Sequence, residues 1–246
     1  MTALAPESVR VIELPSVTLV SVSSVDVRRT LAALRESMRG VTFATALFIS
    51  HEQPAFMDSA ISFRGIDRLS SIDDYNRFML YELWRYIETP HCLAVQADGY
   101  VLRPSSWRSD FLDYDYIGAP WPLKPDAYID PFGNHQRVGN GGFSLRSRRL
   151  LEVPQHHHVE WDVNSGDFYR HMDAGLYSED GNICVHNRHV YEAAGCVFAP
   201  IETAAQFSVE TPLPEHLGVQ TFGFHKRRPG RRRVARAPRW RGWHLG

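Results

Sequence analysis

The first fifty residues contain a strand–helix–strand pattern that restricts the fold more than any other feature of the chain. Residues 17–24 are apolar and β-branched, as in a buried strand, and turn residues follow them. Asp26 occupies the position of a helix N-cap ahead of a helical run at residues 27–38, which Gly40 ends. Residues 41–50 then predict a second strand. Because such units form parallel sheets, we expect a ligand crevice at the carboxyl ends of the strands.

A second unit follows and leads to the residue on which the functional prediction centres. Acidic residues favour a helix N-terminus at Asp73, and apolar residues at helical spacing predict a helix that continues until Pro90. Residues 92–96 predict a short buried strand, with a turn at Asp98 and Gly99 directly after it. A carboxylate in this place points into the expected crevice, although Asp-Gly after a strand is also an ordinary turn.

Length and composition predict one α/β domain with a basic tail. The 246 residues are 43% hydrophobic and 22% charged, which is ordinary for a globular chain, and we assign residues 9–225 to a single domain. The net charge of −1 conceals an asymmetry. Residues 226–246 contain nine basic and no acidic residues, which leaves eighteen basic against twenty-eight acidic residues upstream. Since this tail is rich in Arg, Pro and Gly, we expect it to be disordered.

Three interpretations of the tail stay open: a solvated extension, a contact with an anionic membrane surface, and nucleic-acid binding. Trp240 and Trp243 favour the membrane interface, whereas the acidic body disfavours nucleic acid, and we expect no nucleic-acid partner. No signal peptide or transmembrane segment is evident, and the three cysteines match neither a zinc pattern nor a disulfide framework. We therefore expect a soluble, cytoplasmic protein, with peripheral contact at the inner face of the membrane as a further option.

Three more motifs carry functional groups, and each also has an ordinary structural interpretation. Residues 139–142, Gly-Asn-Gly-Gly, predict either a tight turn or the wall of a sugar pocket. Glu179 and Asp180 are either first-turn residues favoured by the helix dipole or the source of a general base. His225 lies among aromatic residues and is either a structural histidine or a metal ligand.

The consecutive histidines 156–158 form a pattern that could be mistaken for a metal motif. Consecutive side chains point in different directions, and the flanking Pro154 and Gln155 suggest an exposed loop. We therefore do not expect a metal ion there.

Taken together, the motif segments occur in an order typical of a known family: residues 74–84, 96–102, 115–122, 139–146, 179–180 and 222–225. The series resembles a bacterial domain family of formally unknown function that is regarded as glycosyltransferase-like. More loosely, it is similar to the fringe and core galactosyltransferases. The resemblance spans residues 17–225 and implies a single GT-A domain, the Rossmann-like nucleotide-diphospho-sugar transferase fold with a mostly parallel central sheet.

The resemblance also implies roles for individual residues. Asp98 would be the surviving aspartate of an Asp-X-Asp motif that binds Mn²⁺ or Mg²⁺ with the donor diphosphate, and His225 would be a late metal ligand. Asp180 would be the catalytic base, and the neighbouring Glu179 is the alternative candidate for this role. The residues that would lie along the donor or the acceptor are Ser24, Asp26, Gln96, Gly99, Trp121, Asn140, Gly141 and Gly142.

The implied activity is transfer of a sugar from a nucleotide-sugar donor to an acceptor hydroxyl, with inversion. The enzyme would be hexosyltransferase-like and would act in polysaccharide biosynthesis on a bacterial surface glycan or glycolipid. One position departs from the wider pattern, because Gln96 stands where the first aspartate is usual and lowers the negative charge of the site. This departure favours an alternative, a catalytically silent GT-A module that binds a glycan or a partner enzyme.

Overall fold

The computed structural model of the protein describes residues 11–125, 127–161 and 178–226. The strands of this part, in chain order, are β1 Ile12–Val22, β2 Val41–Ser50, β3 Ile61–Gly65, β4 His91–Val95, β5 Gly99–Val101, β6 Tyr116–Ile117, β7 Phe143–Ser147, β8 Ser208–Val209 and β9 Gly223–His225. The α-helices are α1 Val27–Ser37, α2 Ile72–Tyr81, α3 Arg148–His156, α4 Glu179–Gly181, α5 Arg188–Ala193 and α6 Ile201–Phe207. Short 3₁₀ turns lie at Leu83–Tyr86, Pro104–Ser106, Ser109–Asp113 and Pro214–His216, and a π-helical turn, Asn182–His186, continues α4.

The main sheet has the strand order β3-β2-β1-β4-β7-β6. β1 pairs in parallel with both β2 and β4, and β2 pairs in parallel with β3. β7 is antiparallel to β4 and to β6, so it runs against the other strands described for this sheet. The predicted α/β class with a mostly parallel central sheet is confirmed. The order 3-2-1-4 places the crevice beside the carboxyl ends of β1 and β4.

The strand–helix–strand opening is confirmed, with β2 at the predicted bounds and β1 starting earlier than predicted. The prediction for Asp26 was only half right. Asp26 precedes α1, but its backbone is left-handed, with a φ of 44°, and its side chain caps no helical N–H group. Instead, its carboxylate accepts a hydrogen bond from Arg29 at 2.9 Å.

The second predicted helix begins where expected and ends earlier. Ser71 accepts a hydrogen bond from the Asp74 backbone at 3.0 Å, and the Asp74 carboxylate accepts one from the Ser71 backbone at 2.9 Å. This reciprocal capping box satisfies two N–H groups at the start of α2. The α-helix ends at Tyr81 and a 3₁₀ turn follows, so the prediction that it runs to Pro90 was wrong. β3, at the sheet edge, was not predicted.

Alternate residues of the central strands face two separate apolar layers. Val20 and Ile49 pack in one layer with α2 and α3, whereas Leu19 and Phe48 pack in the other with α1. Leu31 of α1 is fully buried there. Burial of an aliphatic side chain of this size stabilises a fold by about 1.5–3 kcal/mol. Both sides of the sheet are covered, which leaves its carboxyl edge for a ligand site.

A second, smaller sheet extends this edge of the molecule. Its order is β5-β9-β8, with β9 antiparallel to β5 and parallel to β8. The pairing sets Gly99 opposite His225. Two residues far apart in sequence therefore meet at the end of β4.

The predicted tail, residues 226–246, lies outside the described residues except for Lys226, and its order is not described. Among the described residues, no helix combines the length and the apolar character that crossing a membrane requires.

Asp115 joins β6, β7 and the chain around residue 197. Its buried carboxylate accepts hydrogen bonds from the Ser147 hydroxyl and from Nε and Nη2 of Arg149. It also accepts one from the Val197 backbone N–H at 2.7 Å. Although burial by itself raises the pKa of Asp115, the hydrogen bonds from Arg149 and Ser147 lower it below its usual range. The carboxylate is therefore a structural group.

We expect Asp115→Asn to lower the free energy of unfolding by about 2–3 kcal/mol at pH 7, because charged hydrogen bonds to a buried acceptor are lost. Since the folded-state pKa is depressed, this stabilisation is present above the unfolded pKa of about 3.9 and is lost as the pH falls through the lower folded value. Urea unfolding across pH measures both effects. The exposed Asp113→Asn is the control and should change stability by less than about 0.5 kcal/mol. Equal stability of the two variants would contradict the assignment.

Candidate active site

Asp98 and His225 meet at the carboxyl end of β4. His225 Nε2 lies 3.3 Å from Asp98 Oδ1, and the Lys226 backbone N–H donates to the Asp98 carbonyl at 3.0 Å. The imidazole is 8% exposed and the Asp98 side chain 33% exposed, so the carboxylate is the more accessible of the two groups. The structure therefore brings together two residues that the sequence could not place next to each other.

Glu210, at the end of β8, is a third charged group that sequence reasoning missed. Its Oε1 lies 3.5 Å from His225 Nδ1 and also contacts Lys226 Nζ. No short sequence motif surrounds Glu210, and only the pairing of β8 with β9 brings it to the histidine.

The electrostatics of this cluster are dominated by pairing. Burial by itself lowers the pKa of His225, but the nearby carboxylates of Asp98 and Glu210 raise it to about 9. Burial raises the pKa of Glu210, but His225 and Lys226 bring it down to about 2. In the same way, His225 more than offsets the effect of burial on Asp98, and the pKa of that carboxyl is lowered. Each carboxylate is thus held in its charged form.

The predicted glycine-rich segment forms the wall beside the histidine. A Cβ atom on Gly142 would lie 2.1 Å from His225 Nε2, and one on Gly99 would lie 2.8 Å from the Gly142 carbonyl oxygen. Asn140 has a left-handed φ of 73°, and its side-chain oxygen accepts from the Gly142 N–H at 3.1 Å. The backbone therefore packs directly against the imidazole ring, which explains the small residues in this segment.

The Glu179-Asp180 pair lies against the same segment, but the two side chains have different surroundings. Asp180 is partly exposed, and its Oδ2 accepts a hydrogen bond from the Gly141 N–H at 3.0 Å. Glu179 is buried and accepts from Arg146 Nη2 at 2.9 Å. Burial first, and then the charge of Asp180, raise the pKa of Glu179, while Arg146 opposes both. Asp180 is therefore the more accessible of the two carboxylates.

Three other predicted binding residues have clear local partners. Gln96 donates from Nε2 to the Tyr75 hydroxyl at 2.9 Å, and its backbone N–H donates to the Gly142 carbonyl at 3.0 Å. Ser24 Oγ accepts from the Leu69 backbone at 3.0 Å. Asp26 lines a cavity of about 560 Å³ at the carboxyl ends of β1 and β2. These three residues follow the carboxyl ends of β1 and β4.

Trp121 does not present an open ring in this structure. It is 5% exposed and stacks on Tyr128, with ring centroids 4.3 Å apart and an interplanar angle of 8°. Its ring also fills the space beside Gly139, where a Cβ atom would lie 1.9 Å from it. Stacking of Trp121 on a sugar, as the sequence predicts, would require Tyr128 to move.

The histidine run is separate from the site. His156 is the last residue of α3, and residues 156–158 are exposed. His156 and His157 line a surface pocket with Pro90, at the amino end of β4, whereas Asp98 follows its carboxyl end. The loop predicted at this place begins only after His156.

The donor set at Asp98 is small for a divalent ion. Within the described residues, no group of three or more His, Cys, Asp and Glu side chains is arranged to hold a metal ion. A Mg²⁺-type site needs only one or two carboxylates when substrate phosphates and water supply the other ligands. Asp98 and His225 converge from one side, and Glu210 faces the other ring nitrogen, as in carboxylate–histidine–metal arrangements. The residues fit an ion that is shared with a phosphate ligand.

A family model described as "Protein of unknown function (DUF5672)" matches residues 60–225, a span that contains Asp98, Asp180, Glu210 and His225. No curated protein matches the chain. A solved structure described as a glycosyltransferase involved in the glycosylation of the major capsid of PBCV-1 is similar over 86% of this chain and 92% of that chain, with 14% sequence identity and a TM-score of 0.46. The family match covers well over half of the chain.

We expect Gly142→Ala to destabilise the protein by about 1–3 kcal/mol, because its Cβ would overlap a buried ring that contacts Asp98 and Glu210 on opposite sides. Urea unfolding measures the change. Gly65→Ala is the matched control, since its nearest contact would be an ordinary 3.6 Å. If Gly142→Ala were as stable as Gly65→Ala, the close packing of the loop on His225 would be refuted.

Proposed function

We propose that this chain, which belongs to the DUF5672 family, is a glycosyltransferase that uses a nucleotide-sugar donor and a divalent metal ion. The observation that carries the proposal is the convergence of Asp98, His225 and Asp180 around the glycine-rich segment, at the carboxyl edge of a mostly parallel sheet. Sheets of this kind bind their ligands at that edge. The motif resemblance described above adds the GT-A assignment and the sugar-transfer chemistry.

Asp98 and His225 would hold Mn²⁺ or Mg²⁺ together with the diphosphate of the donor. A bound ion would supply charge stabilisation of several kcal/mol to the departing diphosphate. The partly exposed Asp98 carboxylate and the Nε2 atom of His225 are the groups that face this place.

Asp180 would act as the general base. Sugar transfer with inversion needs a carboxylate that removes the proton from the acceptor hydroxyl as its oxygen attacks the anomeric carbon. The Gly141 N–H fixes one oxygen of Asp180, and the side chain stays accessible. Glu179, the alternative candidate for the base, is buried against Arg146. We therefore assign it a role in positioning Asp180.

The remaining predicted residues would line the donor and the acceptor. Ser24 and Asp26 lie beyond the carboxyl end of β1, where we place the nucleotide. Gln96, Gly99 and the loop of Asn140, Gly141 and Gly142 surround the Asp98–His225 pair, where we place the diphosphate and the sugar. Trp121 would join the sugar site only after Tyr128 moves. The acceptor would be a hydroxyl of a surface glycan or glycolipid.

The second candidate is a catalytically silent module that binds a glycan or a partner enzyme. The observation that favours it is the Gln96 side chain, which contributes no charge and is hydrogen-bonded to Tyr75. Such a module has no need to bind nucleoside diphosphates.

We expect Asp98→Asn and Asp180→Asn to abolish sugar transfer without loss of folding. Loss of the base should lower turnover by about 10²–10⁴-fold. Loss of metal-assisted charge stabilisation should lower it by about a hundredfold or more. A screen of nucleotide-sugars with Mn²⁺ identifies the donor, and turnover of each variant is then compared with that of Asp113→Asn, whose carboxylate is exposed. Full turnover by both site variants would show that these roles are assigned to the wrong residues.

Calorimetry separates the enzyme from the silent module. We expect wild-type protein to bind one of the uridine, guanosine or thymidine diphosphates in the presence of Mn²⁺, and Asp98→Asn to lose the Mn²⁺-dependent part of the affinity, because a carboxylate ligand is missing. Binding of none of these nucleotides by the wild type would favour the silent module.

The basic tail is proposed to hold a cytoplasmic enzyme at an anionic membrane surface, near a glycolipid acceptor. Each basic residue near such a surface contributes about 1 kcal/mol. Flotation with phosphatidylserine vesicles should recover the full chain and lose it when residues 227–246 are removed. Salt-dependent binding of duplex DNA by the full chain alone would instead favour the nucleic-acid interpretation.

A further inference from the structure

Glu210 lies on the opposite side of the His225 ring from Asp98. Its Oε1 is 3.5 Å from Nδ1, whereas Nε2 is 3.3 Å from Asp98 Oδ1. We propose that Glu210 is a positioning residue that holds the His225 ring so that Nε2 faces the cation and diphosphate site. The inference rests on the proposed function, because it assigns a role in the metal site of that function.

The ring nitrogen that faces Glu210 makes no hydrogen bond among the described residues. His225 Nδ1 is buried, and the described residues provide no hydrogen-bond partner for it within ordinary geometry. A buried N–H group without an acceptor is costly, and Glu210 is the group that faces it. A carboxylate behind a histidine fixes which ring nitrogen faces a metal ion.

The Glu210 side chain lies behind the ring, opposite the backbone of Gly142. Gly142 packs against Nε2 with backbone atoms only. It restricts the position of the ring but offers it no side-chain hydrogen bond. Glu210 itself is 12% exposed and is held on a strand end rather than on a loose loop, because β8 pairs with β9. The carboxylate is therefore preorganised before any ligand enters.

Glu210 also contacts Lys226 Nζ, and this pair offers a competing explanation. If Glu210 served only to bind Lys226, removal of either side chain would have the same effect on the site. Under the positioning role, by contrast, the two removals differ in their effect on Mn²⁺ affinity. Loss of the Lys226 charge takes a cation away from the acidic cluster and should leave Mn²⁺ affinity unchanged or raise it, whereas loss of Glu210 should lower it.

The experiment measures Mn²⁺ affinity, with the nucleoside diphosphate that the wild type binds, for Glu210→Ala, Glu210→Gln and Lys226→Met. We expect Glu210→Ala to weaken Mn²⁺ binding by about 10–100-fold. Glu210→Gln should keep most of the wild-type Mn²⁺ affinity, because its amide oxygen can still accept a hydrogen bond from Nδ1–H. Glu215→Gln, which removes a carboxylate paired with Arg137, is the control and should be neutral.

Equal losses in Glu210→Ala and Glu210→Gln would mean that charge rather than orientation matters, and would overturn the proposal. Unchanged affinity in Glu210→Ala, or an equal loss in Lys226→Met, would overturn it as well.

A second readout needs no metal ion. In the metal-free protein, NMR of labelled histidine should show a solvent-protected Nδ1–H proton of His225 in the wild type and in Glu210→Gln, and its loss in Glu210→Ala. Identical signals in all three proteins would overturn the positioning role. If the wild type bound no Mn²⁺ with any nucleotide, the proposed metal-dependent function would fail, and the NMR comparison would still decide the role of Glu210.

Discussion

The close approach of bare backbone to side chains at residues 139–142 is the constraint on which the site depends. Cβ atoms at Gly139, Gly141 and Gly142 would meet Trp121, Glu179 and His225 at 1.9, 1.8 and 2.1 Å. One short segment thus separates the buried ring, the buried carboxylate and the aromatic pair while contacting all three. A single methyl group in any of these places would force a rearrangement, since the contacted side chains are buried.

Charge pairing then separates the acidic residues into buried and accessible ones. Arg146 neutralises Glu179 in the interior, and removing one partner of a buried pair leaves an uncompensated charge. Asp180, its neighbour, is anchored by a backbone N–H and remains accessible. Glu210 and Asp98 bracket His225 from opposite sides. The arrangement explains how adjacent carboxylates can have different roles in the proposed transfer reaction.

Prediction from sequence succeeded where the signal is local. β2 has the predicted bounds because a β-branched apolar run between turn residues specifies a strand, and α2 starts at an acidic capping box. Prediction failed where tertiary packing determines the local conformation. Asp26 occupies the cap position without capping, because its left-handed backbone and its Arg29 partner turn the carboxylate away. The edge strand β3 is short and lacked a recognisable pattern.

The sequence by itself determined the α/β class, the position of Asp98 after a central strand, and the presence of a segment that must pass close to other groups. Only the tertiary structure decided that His225 and Glu210 belong beside Asp98. Antiparallel pairing of β5 with β9 joins strands more than a hundred residues apart, and parallel pairing of β8 with β9 then brings Glu210 to the histidine. It also decided that Asp180 is accessible whereas Glu179 is buried. Burial next to Arg146 cannot be read from two adjacent acidic residues, since it depends on which strand crosses beneath them.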